Sequence, residues 1–410
     1  MSAPKIAVEV DIAIVGGGLV GASLAIALQP CGLRMALIES VSAEATGQPS
    51  FDDRTTALGN SSRRIFEALD VWPLISGQAA PIKNIHVSDA GRFGFARLSA
   101  AEQGIDSFGY VVTNRVLGQA LRTRLGALKD IDLRMPSSCT HIAISESQVE
   151  IHTEPSALPI RAKLVIAADG SRSQVRSAAG LSAEVEDYQQ VAVIAHVAAT
   201  RSSDGTAYER FTSEGPFAVL PLHNGCYGVV WTLPPSAAEL LMASSDAEYL
   251  AQLQRQFGWR IGRFLRVGQR SAYPLQLTRA TKTIGPRVAL IGNAAQALHP
   301  VAGQGFNLGL RDAATLAEVL SVLPAGADVG ASAVLADFSA RRMIDRDGIT
   351  RFTDGLVKLF SEQRLGVPLL RDMGLLMFDL SPTAKQALSK LSWGFARHTP
   401  RLARGLNLIL

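Results

Sequence analysis

Gly16, Gly18 and Gly21 stand in a Gly-x-Gly-x-x-Gly order between a β-branched apolar run and an apolar helix-forming run. Glycines at this spacing suit the binding of a dinucleotide. The first makes a tight turn, the second lets the backbone approach a pyrophosphate, and the third allows close helix–strand packing. The helix amino terminus then offers N–H groups to the phosphates. Glu39 ends the next apolar run, 18 residues after Gly21, where its carboxylate can accept hydrogen bonds from an adenosine ribose. The pattern alone suits NAD and FAD equally.

Two more stretches carry chemistry. Asp169-Gly170-Ser171-Arg172-Ser173 follows the apolar run Lys163–Ala168. It reads as a strand-to-helix turn capped by a serine, or as a clasp in which Asp169 and nearby backbone hold a cofactor's polar chain. The longest stretch runs from Gly292 to Asp312. It is a strand end, a loop and a glycine-rich opening of a helix, which turns N–H groups and a positive dipole end toward an anion. A reduced flavin, negative at N1 and C2=O, suits that place. His299 in this loop reads equally as a structural histidine or as a residue at the ring.

Three short runs position these loops: Val10–Val15, Lys163–Ala168 and Arg287–Ile291. Each reads as a buried strand of a parallel sheet, and such sheets bind ligands at their carboxyl ends. One nucleotide-binding domain assembled from distant segments follows, over 1–80, 111–184 and 276–340. Residues 81–110 and 185–275 show short strands such as Val191–Val197, Phe217–Leu222 and Cys226–Thr232, with a turn at His223-Asn224-Gly225. They read as an inserted, mostly antiparallel sheet for the substrate. After Gly309 the pattern is helical, broken at Pro324, Pro368, Pro382 and Pro400, with 341–410 as a C-terminal helical region.

Composition narrows the function classes. The 410 residues are 47% hydrophobic, too apolar for a disordered chain, and they show no internal repeat. Three scattered cysteines make neither a disulfide framework nor a metal knuckle and point to a reducing compartment. The seven histidines show no metal-ligand spacing, so no metal is expected. The chain carries +4 overall, and five basic residues without an acid fall in 381–410, so the rest carries −1. A nucleic-acid partner is excluded for the body. In the basic tail Ala384, Ala387, Leu388, Leu391 and Phe395 share a helical face, and Leu402, Leu406, Leu408, Ile409 and Leu410 follow. That reads as a helix docked on the protein or as peripheral membrane contact. Ile12–Leu33 is uncharged, but its glycines and Pro30 suit a strand–turn–helix better than a membrane span.

The chain resembles the FAD-dependent aromatic hydroxylases of the para-hydroxybenzoate hydroxylase type, and within them the ubiquinone-biosynthesis hydroxylases. The run from His299 through Asp312 is similar to their signature. Asp53-Arg54-Thr55-Thr56-Ala57-Leu58 and Asn114-Arg115-Val116-Leu117 match further family segments. Tyr208–Thr212, Phe257–Arg260 and Ser271–Leu275 look most like the 2-polyprenyl-6-methoxyphenol hydroxylase branch. The resemblance implies an α/β fold: a Rossmann-type FAD domain, an inserted antiparallel-sheet substrate domain and a helical C-terminus. It implies that Gly16, Gly18, Gly21 and Glu39 hold the ADP half of FAD, and that Arg54 and Arg115 face its pyrophosphate and flavin side. Asp169 and Gly170 would touch FAD and, transiently, NAD(P)H. Gly292 and Asn293 would hold the ribitol. Pro300, Gly303, Gln304, Gly305, Phe306 and Asn307 would line the flavin ring, with His299 and Pro300 at the reacting centre.

The implied activity is hydroxylation of a polyprenylated phenol in ubiquinone biosynthesis, with FAD as cofactor, NAD(P)H as reductant and O2 as co-substrate, through a flavin C4a-hydroperoxide. Implied partners are the phenol and other ubiquinone-biosynthesis proteins. The implied place is the cytoplasm, peripheral to a bacterial inner membrane. Tyr208, His223 and Tyr273 are further candidates for handling the phenol's proton. Asn293 stands where the family usually has Asp, and Gln296 where it often has His. These departures leave open a catalytically weak flavoprotein scaffold, as the glycine motif alone leaves open an NAD-dependent dehydrogenase. No second Gly-x-Gly-x-x-Gly follows a strand, so no separate NAD(P)H domain is expected.

Overall fold

The computed structural model describes residues 7–42, 52–128, 130–156, 158–362, 366–381, 383–385 and 399–408. In the strand Val8–Val15, Ile12, Ala13 and Ile14 are fully buried. A strand buried on both faces needs neighbours at both edges. It pairs in parallel with Ile160–Ala167 on one side and Met35–Ile38 on the other. Val288–Leu290 extends the sheet beyond Ile160–Ala167, and Ile131–Arg134 extends it beyond Met35–Ile38, both in parallel. The carboxyl ends at Val15, Ile38, Ala167 and Leu290 therefore share one edge. One face packs on the helices Leu19–Leu28, Asn114–Gly126 and Gln304–Ser321, where Leu24, Leu121 and Leu316 are fully buried. Each such side chain stabilises the fold by about 1.5–3 kcal/mol.

A second sheet of nine strands runs from Gln296–Ala297 through Ser271–Ala280, Ala183–Ala199, Tyr227–Leu233, Pro216–Pro221, Thr206–Phe211 and Asn84–Asp89 to Phe95–Ser99, with Phe264–Val267 paired to Ala183–Ala199 off this path. Its pairings are antiparallel except that of Thr206–Phe211 with Asn84–Asp89. The helix Asp246–Phe257 covers its outer face, burying Phe217, Trp231 and Tyr249. Gln296–Ala297 pairs with Ser271–Ala280, so the loop after Val288–Leu290 is held between the two sheets. A small sheet of Thr55–Gly59, Gly109–Thr113 and Ala80–Pro81 lies alongside.

The helices Ser332–Ser361 and Val367–Leu380 follow. Buried Arg371 donates to Asp89 at 2.8 Å and to the Phe360 carbonyl at 3.1 Å, which ties Val367–Leu380 to the second sheet. The end of the tail follows the docked one of its two sequence readings. Leu402 and Ala403 are buried in the core against Asn60–Ala68 and Gln304–Ser321, Leu408 packs against that core, and the Arg401 N–H donates to Glu318 at 2.6 Å. Leu402 and Leu408 thus face protein rather than lipid, because the apolar helix layer offered them a dry surface. Ala387, Leu388, Leu391, Phe395, Ile409 and Leu410 lie outside the described residues. Among the described residues no helix is long and apolar enough to cross a membrane, and Cys31, Cys139 and Cys226 are free thiols.

Candidate cofactor and active site

The first strand turns at Gly16, where φ is +104°. A Cβ there would lie 2.3 Å from the Ala168 carbonyl oxygen, and one at Gly21 would lie 1.9 Å from the Gly16 carbonyl oxygen. Only hydrogen fits at either place, so strand, turn and helix close on one another. Gly18 caps the helix Leu19–Leu28 without a side-chain hydrogen bond, and the first-turn N–H groups have no acceptor within the helix. This cradle fits a pyrophosphate. Glu39 is buried; its Oε2 accepts from the Gly17 N–H at 2.7 Å and its Oε1 from the Val41 N–H at 2.9 Å. Glu39 therefore shapes the loop as well as presenting an acceptor. Glu39→Ala should lose a charge-assisted interaction of about 1.5–3 kcal/mol, or about 10–150-fold in FAD affinity. Fluorescence titration of the apoprotein checks this, and an unchanged Kd would remove Glu39 from the site.

Asp169 Oδ2 accepts from the N–H groups of Gln174 at 2.8 Å and Val175 at 3.2 Å. Its Oδ1 is buried with no partner among the described residues, and burial pushes its carboxyl above the usual range. An orphaned acceptor beside Gly170 fits the hydroxyls of a cofactor chain. Ser173 caps the following turn by accepting from the Arg176 N–H at 3.0 Å. Arg176 then joins two loops, donating to the Ala294 carbonyl at 2.9 Å and the Ser171 carbonyl at 2.7 Å. Sequence spacing does not reveal this role of Arg176, because it depends on a partner 118 residues away.

The Gly292 loop rests on buried charge. Asp312 Oδ2 accepts from the Gly292 N–H at 3.2 Å and from Gln296 Nε2 at 2.8 Å, and its Oδ1 from Arg342 Nε at 2.8 Å. Arg346 approaches the same oxygen at 3.3 Å, while Asp345 receives Arg311 at 2.8 Å and Arg342 at 2.6 Å. Burial opposes the charge on Asp312, but Arg346 and Arg342 outweigh it and hold the carboxyl below its ordinary range. Three guanidinium groups face two carboxylates here, leaving one net positive charge buried behind the loop, a favourable backdrop for an anion. Asn293 itself is exposed at the loop's tip.

His299 is 2% exposed, its Nδ1 accepts from the Val301 N–H at 3.1 Å, and its Nε2 lies 3.3 Å from Gln190 Oε1. This network assigns the proton to Nε2. Burial pushes the imidazole down to about 4, so it is neutral at pH 7. Gly303 takes φ +59° to begin the helix Gln304–Ser321, and a Cβ on Gly305 would meet open space. Pro300 is exposed and Gln304 buried. Two side chains expected at the ring face elsewhere. Asn307 accepts from the Gly59 N–H at 2.9 Å and Ser62 Oγ at 2.7 Å, and donates to the Ala57 and Gly303 carbonyls, both at 2.8 Å. It has no hydrogen-bonding capacity left for a ring. Phe306 stacks on Phe66 at 6.2 Å, its apolar ring drawn into the helix layer. Near Asn307 and Phe306 the loop offers backbone to a ligand.

Arg54 and Arg115 are ion-paired, Arg54 with Asp52 at 2.7 Å and Arg115 with Asp53 at 2.8 Å. Arg54 also lies 4.7 Å over the Tyr273 ring, whose hydroxyl donates to Asp52 at 2.8 Å. Tyr208 faces away from the loop, edge-on to Phe257 at 5.2 Å on the helix-covered side. His223 sits in an exposed turn.

The FAD binding domain family matches residues 9–344. Ubiquinone hydroxylase UbiL of Rhodospirillum rubrum is 38% identical, with 99% of this chain and 95% of that protein covered. The 3-demethoxyubiquinol 3-hydroxylase of Escherichia coli is 31% identical over 94% of this chain and 98% of its own length. Among solved structures, p-nitrophenol 4-monooxygenase PnpA from Pseudomonas putida has a TM-score of 0.77 at 23% identity, covering 96% of this chain and 99% of that one. PqsL from Pseudomonas aeruginosa, a probable FAD-dependent monooxygenase, gives 0.73 at 19% identity over 90% of this chain and all of its own. The para-hydroxybenzoate hydroxylase-like α/β architecture expected from the sequence is the one observed. With the glycine cradle, Glu39 and the buried Asp169 acceptor meeting the needs of the cofactor, and with four-fifths of its length matched, this chain belongs to the FAD binding domain family.

Proposed function

We propose that this protein is an FAD-dependent monooxygenase that hydroxylates the aromatic ring of a polyprenylated phenol in ubiquinone biosynthesis, with NAD(P)H as reductant and O2 as co-substrate. The observation that carries this reading is that the likeness to ubiquinone hydroxylases spans both sheets, the cofactor loops and the sheet facing them. Bound FAD supplies the redox chemistry, activating O2 for transfer of one oxygen atom to an electron-rich ring. The protein's own groups bind, orient and exclude water. Gly16, Gly18, Gly21 and Glu39 receive the ADP half, with Arg54 and Arg115 beside the pyrophosphate. Asp169, Gly170, Gly292 and Asn293 take the polar chain. The stretch Pro300 to Gly305 faces the ring, and Phe306 and Asn307 anchor it from behind. Neutral His299 holds its proton toward Gln190 and acts as a positioning residue.

Residues 1–80, 111–184 and 276–340 form the cofactor-binding part in this proposal. Residues 81–110 and 185–275 form the substrate part, and 341–410 the helical part. Gln296, whose departure from the family pattern left a scaffold reading open, donates to Asp312 and keeps the loop supported. The enzymatic reading is therefore retained. A polyprenyl phenol is membrane-soluble. Delivery at the cytoplasmic face of the inner membrane, peripheral contact with it and exchange with other ubiquinone-biosynthesis proteins belong to the same proposal.

The test is O2 uptake by the flavin-loaded protein with NAD(P)H and a short-chain polyprenyl phenol, with isotope-labelled O2 and mass spectrometry of the product. One labelled oxygen atom should appear on the ring. NAD(P)H oxidation that yields only H2O2, whatever phenol is added, would overturn the reading.

A further inference from the structure

Thr206–Phe211 serves both faces of the second sheet. Tyr208 packs on the helix-covered side, so Ala207, Glu209 and Phe211 point the other way. Ala207 joins the cluster against which Ala57 packs, and Phe211 joins Val301 and Phe360. Both partners border the His299 loop: Val301 donates to His299, and a Cβ on Gly303 would meet Ala57 Cβ at 3.2 Å. Glu209 thus lies between them, on the face turned to the loop. Its cross-strand neighbours are Val87 and Ala218, both apolar. Among the described residues no hydrogen bond or ion pair reaches its carboxylate. Glu209 is half-buried, and a carboxylate set among apolar neighbours without a partner is costly unless it exchanges a proton or meets a ligand.

The charged and titratable groups around it do not supply that partner. Asp89, on the neighbouring strand, is neutralised by Arg371 at 2.8 Å. His299 is neutral and bound to Gln190, and His196 lies near Asp53. Tyr188 sits beside Asp354, which is bridged to Lys358 at 2.8 Å.

Building on the hydroxylation proposed above, we infer that Glu209 is a catalytic residue, the carboxylate that receives the phenol's proton while oxygen is transferred to the ring. The phenolic O–H bond breaks, its electron pair stays on oxygen and feeds the ring, and an O–H bond forms on Glu209. The oxygen atom and the two-electron oxidation come from the proposed FAD and O2 chemistry. Glu209 hands the proton back to the same oxygen as the ring loses its C–H proton to solvent, and is ionised again for the next turnover. Burial pushes this carboxyl up to about 7, close to the operating pH, where a general base is most effective.

The experiment compares wild type with Glu209→Gln, both flavin-loaded. In wild type, kcat/KM for the phenol should rise about tenfold per pH unit below pH 7 and level off above it. Glu209→Gln should lose that limb and about 10²–10⁴-fold of the plateau, with flavin content unchanged. The chromophoric phenol 4-nitrophenol gives a reading without turnover. Ionised Glu209 repels its phenolate, so at pH 8 the phenolate band of the bound probe should be weaker in wild type than in Glu209→Gln. Retention of both limb and rate in the variant, or equal spectra, would overturn the inference. If wild type hydroxylates no phenol, the proposed function falls, and the 4-nitrophenol spectra still decide on Glu209. Should Glu209→Gln lose flavin, Glu209→Asp replaces it: the limb must persist at a lower plateau, and its absence counts against the inference.

Discussion

Gly21→Ala should emerge from purification without flavin. The added Cβ would sit 1.9 Å from the Gly16 carbonyl oxygen and 3.2 Å from Ala168 Cβ. The first obstacle is backbone, which cannot rotate aside as a flexible side chain would. The helix Leu19–Leu28 must therefore move off the strand and carry its first-turn N–H groups away from the pyrophosphate path. Overpacking of this kind costs about 1–3 kcal/mol in stability, occasionally more. Because the same displacement unmakes the binding cradle, FAD affinity should fall by more than about 100-fold, roughly 2.7 kcal/mol. Flavin absorbance per chain and titration of the apoprotein measure it. Gly305→Ala is the control, since its Cβ meets open space and the variant should keep its flavin. A fully flavinated Gly21→Ala protein would show that the loop does not hold the cofactor.

The second large effect is expected at Asp312, which is 0% exposed. Asp312→Ala leaves Arg342 and Arg346 facing one another across a dry gap and removes the acceptor of the Gly292 N–H and of Gln296. Breaking a buried pair from one side destabilises by about 3–5 kcal/mol, mostly because the remaining charge has no counterpart. Urea unfolding followed by flavin fluorescence should show a much lower midpoint, and a loss under about 1 kcal/mol would contradict the network. The pH dependence has a definite sign. The carboxyl is held below its ordinary value of 3.8 when folded, so its contribution is present above that pH and is lost as the pH falls through the lower folded value. Wild type should exceed Asp312→Ala in stability at neutral pH, and the gap should narrow in acid.

The parts of this molecule that are local in sequence were legible from it. Gly16, Gly21 and Glu39 lie within one strand–helix–strand unit, where spacing alone determines what meets what. The buried strands were legible because a parallel sheet covered on both faces leaves no polar alternation. Arg342, Asp345 and Arg346 were not. On a helix such residues read as a solvated stripe, and only the packing of Ser332–Ser361 on Gln304–Ser321 turns them inward to Asp312. Asn307 and Phe306 were placed at the ring from the motif, but their direction depends on the helix Asn60–Ala68 and the strand Thr55–Gly59, about 240 residues earlier. Glu209 went unnoticed as chemistry because the face a strand residue adopts is set by register with its neighbours. Tyr208, one position away, was weighed and points to the opposite side.

The burial of Leu402 and Ala403 against the helix Asn60–Ala68 has a consequence for biogenesis. The nucleotide loop leaves the ribosome well before that segment, yet its helix Leu19–Leu28 gains apolar cover from Gln304–Ser321, and Asn60–Ala68 gains its own from residues about 340 positions later. At a synthesis rate of about 5–20 residues per second, that interval lasts on the order of 15–70 s. Within it, the Val8–Val15 strand must wait for its partner at Ile160–Ala167 and its helix, longer still, for Gln304–Ser321, with their apolar faces open to water. Contacts of such long sequence separation make folding slow, and the waiting chain is a client for chaperones. Flavin capture is then a late event: the first motif to be translated is among the last to become competent.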